Sequence, residues 1–405
     1  MSEKSEKIAS LPTGFLEISQ GELKKIGGLE TAREIAQQPA LWRKTWKMIS
    51  ERQSELKTFL DKAYSIDNIE VILTGAGTSA FIGNILHGYF QKNTKKCTTS
   101  IATTDLLTHP EPYFQGKAIL LISFARSGNS PESLATVNLA NYFCNRVFHL
   151  IITCNPDGQL ALAKQDHSTL LFLLPAEAED LSVAMTGSFT SMLLAGLLIS
   201  RIQELETLEG QLQRLIQYGD NFIKKYTSRL RNVAALEFDR AVFLGSGPLQ
   251  GAAKESDLKL QEFTGGKVIC KHDSFLGFRH GPKVIITPST LLVYLFSNDE
   301  YVHHYETDLV NAINNGDHGR YQIGISESAV NEAGLDLNLY FAVDKGKIEE
   351  EFLSVCSVLP AQLIGFFKAI QLGLKPDNTA ENGTITRVVE GVIIYQKAKQ
   401  VIAGG

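Results

Sequence analysis

The chain has 405 residues, 44% hydrophobic and 20% charged, with a formal net charge of −5. That length exceeds one ordinary core and predicts two domains of roughly 150–200 residues each. The composition is that of a globular protein in water, and the acidic balance without a long basic run gives no support for a nucleic-acid partner, so none is expected. The opening MSEKSEKIAS has no apolar core and is not read as a secretory leader. No run is read as reaching the ~20 apolar residues of a bilayer span, so no membrane is expected. Five scattered cysteines (Cys97, Cys144, Cys154, Cys270, Cys356) without a CxxC pair predict reduced thiols and a cytoplasmic location.

Residues up to about 65 read as polar helices, with apolar positions at three- and four-residue spacing in TAREIAQQPALWRKTWKMISERQSELKTFL. From residue 69 short apolar strands alternate with helices: IEVILTGAGTSAFIGNILHGYF, then KAILLISFARSGNSPESLATV, then VFHLIITCNPDGQLALAKQ, then STLLFLLPAEAEDLSVAMTGSFT. Near-continuous apolar strands in this alternation predict an α/β fold with parallel sheets covered on both faces, a doubly wound three-layer αβα arrangement. At DRAVFLGSGPLQGAAKESDLKLQEF the first strand–glycine turn–helix unit restarts, about 170 positions on (Gly75 to Gly245). Strand-like runs follow in KVIITPSTLLVYLF, GRYQIGISES and LNLYFAV. The expected organisation is a helical extension over 1–48, α/β domains over 49–210 and 211–375, and a turn-rich tail over 376–405 ending in a strand-like run.

Three junctions carry hydroxyls. SFARSGNSPES follows a strand and opens a helix, which aims backbone N–H groups and a positive dipole end at one point. A phosphate suits that point, and an ordinary polar turn is the alternative. GAGTSA fits the dinucleotide fingerprint, but the acid expected about twenty residues on is missing until Asp105, so a phosphomonoester is favoured over a nicotinamide cofactor. AMTGSFT is the third such turn, and junctions of one parallel sheet converge on the edge of its strand C-termini.

The chemistry that goes with a phosphate lies in AKESDLKLQEF. Glu255, Lys259 and Glu262 share one helical stripe, and Leu249, Ala253, Leu260 and Phe263 point away from it. A solvated face of Glu–Lys pairs is the alternative. In FRHGPK, His280 precedes a Gly-Pro turn that suits a positioned acid–base group. His303, His304 and Asp308 could suggest a metal, but adjacent histidines on a helix diverge, so none is expected.

Taken in order, GAGTS, ARSGNSPES, ITCNPDGQLA, SVAMTGSFT, AKESDLKLQE and RHGP resemble a tandem pair of sugar isomerase (SIS) domains, as in the isomerase half of glucosamine-6-phosphate synthase. The likeness extends to the bacterial branch acting on tagatose 6-phosphate and galactosamine 6-phosphate. It implies that Thr78, Ser79, Arg126, Ser127, Ser130 and Thr186 contact a hexose or hexosamine 6-phosphate. Glu262 becomes the proton shuttle, with Glu255 and Lys259 in support. His280 becomes the ring opener, lent by a neighbouring subunit, so a homodimer or larger oligomer is expected. The family's tail lysine falls near Arg387, which is assigned to the substrate site but cannot form a Schiff base. The glutamine-hydrolysing domain of the synthase has no counterpart in the sequence. Amine release is therefore expected: D-galactosamine 6-phosphate to D-tagatose 6-phosphate and ammonia, without a cofactor. Plain aldose/ketose isomerisation and non-catalytic sugar-phosphate sensing are the alternatives.

Overall fold

The computed structural model describes residues 14–163, 167–316, 319, 321–330, 334–380, 383–389 and 391–395. A short antiparallel pair, β1 (Gly14–Phe15) and β2 (Ile18–Ser19), precedes helices α1 (Gln20–Ile26), α2 (Leu29–Ala36), α3 (Gln38–Glu51) and α4 (Gln53–Tyr64). The first sheet then runs β3 (Glu70–Thr74), α5 (Thr78–Thr94), β4 (Thr98–Ser100), α6 (Thr103–Thr108), α7 (Glu111–Phe114), β5 (Ala118–Ala125), α8 (Pro131–Phe143), β6 (Arg146–Thr153), α9 (Gln159–Leu162) and β7 (Thr169–Leu173). Helix α10 (Gly187–Ser200) and the long α11 (Glu209–Ala234) lead to the second sheet. It comprises β8 (Arg240–Gly245), α12 (Pro248–Phe263), β9 (Ile269–Asp273), α13 (Phe275–Phe278), β10 (Thr290–Leu295), α14 (Glu300–Asn314), β11 (Tyr321–Ser326) and β12 (Leu337–Tyr340). Helices α15 (Glu350–Cys356) and α16 (Leu359–Gln371) close the fold.

Both sheets are parallel and five-stranded, in the orders β4-β3-β5-β6-β7 and β9-β8-β10-β11-β12. Relative to its own first strand, each has the order 2-1-3-4-5, with its switch point between the first and third strands. The continuous apolar strands are explained by burial on both faces. Leu120, Ile122 and Phe124 of β5 join the central core, whereas Ile119, Leu121 and Ala125 join an outer one. In β10, Leu291, Val293 and Leu295 face the central core and Leu292 and Tyr294 an outer one. One apolar core thus lies between the sheets and continues from Leu16 to Phe367.

In that core α5 and α12 pack antiparallel. Asn84 accepts from Lys254 (3.2 Å) at one end, and Thr78 meets Lys259 (3.0 Å) at the other. The closeness needs Gly251, since a Cβ there would come within 2.6 Å of Ile85 Cγ1 and 2.9 Å of Ile85 N. The consequence is functional: the last turns of α12 are carried to the strand C-termini of the first sheet.

Several expectations need correction. The boundary placed after residue 48 falls inside α3, which packs on α10 with Trp42 Nε1 donating to Thr190 Oγ1 at 3.0 Å. The pairs β1–β2 and the edge strands β4 and β9 were not legible, because two to five residues with few apolar side chains give no period to read. KVIITPSTLLVYLF is a strand only from Thr290; Pro282–Ile285 forms a 3₁₀ turn. Residues 391–395 of the tail form no strand. The segment Glu350–Gln371 is in fact bilayer-length, and an 18-residue stretch of it has a mean hydropathy of 1.6, but 94% of that stretch is buried inside the protein.

Candidate active site

A cavity of about 560 Å³ opens at the strand C-termini of the first sheet, flanking its switch point. A site of that volume holds a hexose phosphate. Its walls come from four parts of the chain: the turn after β3 (Ala76, Thr78, Ser79), the loop after β5 (Arg126, Ser127, Gly128, Ser130), Val183 and Met185 before α10, and the tail from Gly383 to Val389, with Glu262 of α12 also lining it.

The turn after β3 is set by Gly77 at φ +55°, a conformation that only glycine adopts without strain. The serine loop is shaped the same way by Gly128 at φ +63°. It is braced from outside: Asn155 donates to Ser127 O (3.0 Å), and Asn129 accepts from Gln159 N (2.9 Å). Gly158 explains the glycine of NPDGQLA, since a Cβ there would lie 2.4 Å from Ser127 O. Ser130 is the N-cap residue of α8, but its hydroxyl pairs with Ser133 Oγ (2.6 Å) and not with the helix. Among the described residues no side chain caps α8, whose first residue, Pro131, has no N–H; the positive end of its dipole, with Ser130 and Ser133, borders the cavity.

The other serine-rich turn is different. Asp180, fully buried, accepts from the N–H groups of Thr186 (2.8 Å), Gly187 (3.1 Å) and Ser188 (3.0 Å) and from the hydroxyls of Thr186 and Ser188. The anion at the start of α10 is therefore the chain's own carboxylate. Thr186, expected to touch substrate, is fully buried and does not line the cavity. A further buried acid, Glu34 of α2, accepts from Leu181 N (2.5 Å) and Ser182. Burial, then Asp180, push it up to about 7.

The stripe on α12 is not a solvated face. Glu255 and Lys259 are fully buried, and Glu262 alone of the three lines the cavity. Lys259 Nζ lies 2.5 Å from Glu262 Oε2, 3.5 Å from Glu255 Oε1 and 3.0 Å from Thr78 Oγ1. Burial pushes Glu255 up to about 8, against the pull of Lys259 and with the help of Glu262. Burial draws Lys259 the other way, but the two glutamates outweigh it and raise its ammonium, which stays charged. Glu255 and Lys259 therefore lie behind Glu262 and do not border the cavity.

Arg126 also departs from expectation. It lines the cavity, but its guanidinium donates to the carbonyls of Ser182 and Val183 (3.1 Å each) and of Arg387. It ties the tail to the cavity floor. Arg387 also lines the cavity and donates to Asp180 O and to Glu179 Oε1 (2.8 Å each). The root of the tail is fixed by Asp377, which accepts from Thr31 N and Oγ1 (2.8 Å each) at the start of α2. Thr379 donates to Glu262 O at 2.6 Å. The tail as a wall, Asp180 and Glu34 were missed; the only signals were a turn-rich terminus and acids in AEAED.

His280 is exposed and outside the cavity, with Val284 of the same loop 88% exposed. His303, His304 and Asp308 do not form a ligand cluster among the described residues.

Comparison with known proteins agrees with this geometry. Residues 66–200 match the SIS domain. The chain is 37% identical to D-galactosamine-6-phosphate deaminase of Shewanella sp. (strain ANA-3), over 94% of this chain and 96% of that one. The crystal structure of tagatose-6-phosphate ketose/aldose isomerase from Escherichia coli superposes with a TM-score of 0.83 at 34% identity, covering 91% of this chain and 97% of that one. The C-terminal domain of glucosamine-fructose-6-phosphate aminotransferase from Francisella tularensis shares the fold (TM-score 0.70, 18% identity, 85% and 96% covered).

Proposed function

The chain belongs to the SIS-domain family that includes the galactosamine-6-phosphate deaminases, and from that premise we propose that it converts D-galactosamine 6-phosphate to D-tagatose 6-phosphate and ammonia. The observation that carries this reading is the pairing, across one cavity, of an uncapped helix N-terminus with the carboxylate of Glu262. The phosphate sits on the first turn of α8 with Ser127 and Ser130, which places the far end of the sugar toward α12. Ser79 and the tail complete the wall.

Glu262 takes the proton from C2 of the open-chain aldose, which is acidic because C1 is a carbonyl. The product is an enolamine. Returning the proton to C1 leaves a 2-imine, and water converts this to the ketose with release of ammonia. Lys259 at 2.5 Å keeps a positive charge beside the base, behind the cavity wall. The same proton transfer on a 2-hydroxy substrate is aldose/ketose isomerisation.

His280 opens the sugar ring in the cavity of a second copy, which accounts for its exposure and for the apolar Val284 beside it. A homodimer is the smallest assembly that completes the site. The family organisation, tandem SIS domains after a helical extension, is retained in this reading, with the two sheets as the two domains.

The test is ammonia and ketose formation from a panel of hexose and hexosamine 6-phosphates, with Glu262→Gln beside the wild type. The variant keeps shape but accepts no proton, so kcat is expected to fall by about 10²–10⁴ with KM little changed. Deuterium from solvent should enter C1 of the wild-type product, and the variant should exchange nothing at C2. Normal exchange with a weakened KM would make Glu262 a binding group.

A further inference from the structure

The fully buried ammonium of Lys259 has two glutamate side chains near it on its own helix and needs something to fix its place between them. Glu262 lies at 2.5 Å and Glu255 at 3.5 Å. The third partner comes from the other half of the molecule: Thr78 Oγ1, at 3.0 Å, from the first position of α5. Two backbone devices deliver it. Gly77 at φ +55° turns the chain so that α5 starts at Thr78, and Gly251 lets α5 and α12 approach until these ends meet. Arg126 is the remaining nearby charge, and its guanidinium is turned to backbone carbonyls. Thr78 lines the cavity, whereas Lys259 does not.

We propose that Thr78 is a positioning residue for proton transfer, its hydroxyl holding the Lys259 ammonium against Glu262 and away from Glu255, and that it is not primarily a contact for the sugar phosphate. An ammonium has three donors, and two hydrogen-bond acceptors, Glu262 Oε2 and Thr78 Oγ1, with the Glu255 carboxyl at 3.5 Å, define its orientation. Without the hydroxyl the ammonium is free to shift along the helix toward Glu255, and the base loses the positive charge held beside it. The inference rests on the deaminase/isomerase reading of Glu262.

Thr78→Val removes the hydroxyl at constant shape, and Thr78→Ser restores it. In Thr78→Val, kcat is expected to fall about tenfold, the size of one charge-assisted hydrogen bond. KM should stay within about twofold and the acid limb of the kcat profile should move to higher pH. Thr78→Ser should recover all three. A second reading uses no substrate: the ¹⁵Nζ signal of Lys259, identified by its loss in Lys259→Met, should exchange with water faster in Thr78→Val than in wild type or Thr78→Ser. A raised KM with an unmoved pH profile and unchanged ¹⁵Nζ exchange would make Thr78 a substrate contact and overturn the proposal. An inactive wild type on the whole sugar-phosphate panel would instead remove the deaminase reading, while the exchange measurement still decides whether Thr78 holds Lys259. Should Thr78→Val fail to fold, Thr78→Ala with the same two readouts replaces it.

Discussion

The two sheets have the same strand order, and their first turns are nearly superposable in conformation: Gly77 at φ +55°, ψ −129° and Gly247 at φ +54°, ψ −123°. They differ in what stands at the starts of their helices. In the first half Thr78 and Ser79 follow the glycine and α8 begins uncapped above a cavity. In the second half Pro248 and the buried Leu249 follow it, and α14 is capped by Asp299, which accepts from Tyr301 N (2.9 Å) and Val302 N (3.3 Å). Asp180 does the same for α10. A helix N-terminus that already holds a carboxylate has no amides left for a phosphate. The duplicated frame thus leaves the start of α8 without a carboxylate and closes those of α10 and α14 from within, and the second half supplies Glu262 to the cavity.

Copying the closed state into the open half is the strongest test. Ser130→Asp places a carboxylate at the N-cap of α8, where it should cap the helix and repel a phosphate dianion. KM for a 6-phosphate substrate is expected to rise about 100-fold, since like charges in contact cost several kcal/mol, while any rate on the unphosphorylated sugar and the melting temperature hold. Unchanged affinity would move the phosphate away from α8.

Buried acids give a second measurement, in stability. Glu255 is raised to about 8 and Glu34 to about 7, from an ordinary value of 4.5. The folded state therefore holds these protons after the unfolded chain has released them. Stability from this source is complete below about pH 4.5 and is lost as pH rises through 7 and 8. At the second edge burial also raises Glu350, partly offset by Ser297 and Tyr89, and Glu351, partly offset by Lys92. The melting temperature should fall from pH 6 to pH 9, and Glu34→Gln with Glu255→Gln should flatten much of that slope. A melting temperature that climbs over this range would contradict protonated carboxyls at the first edge.

The smallest effect belongs to the closed half. Asp299→Ala removes a cap at a helix that binds no substrate, so it should lower stability by about 1 kcal/mol and leave KM and kcat as they are. A change in KM would mean that the second edge takes part in binding after all.

The parallel α/β plan, its duplication and the serine loop are read from local chemistry. Strands buried on both faces must be apolar throughout, and a phosphate loop must carry hydroxyls and glycine at a strand–helix junction, so both leave their mark in consecutive residues. The stripe Glu255, Lys259, Glu262 is likewise a matter of helical period. Which of these residues borders the cavity was decided only in three dimensions. Thr186 and Ser130 sit in similar serine-rich turns, yet one is answered by Asp180 and the other faces open space. Arg126 could have met a phosphate, but three carbonyls from two distant segments claim it. Lys259 finds its third partner 181 positions away, across the interface that Gly251 leaves room for. Local pattern determines where polar groups are placed along the chain; only the packing of distant segments determines whether each is satisfied internally or left to bind.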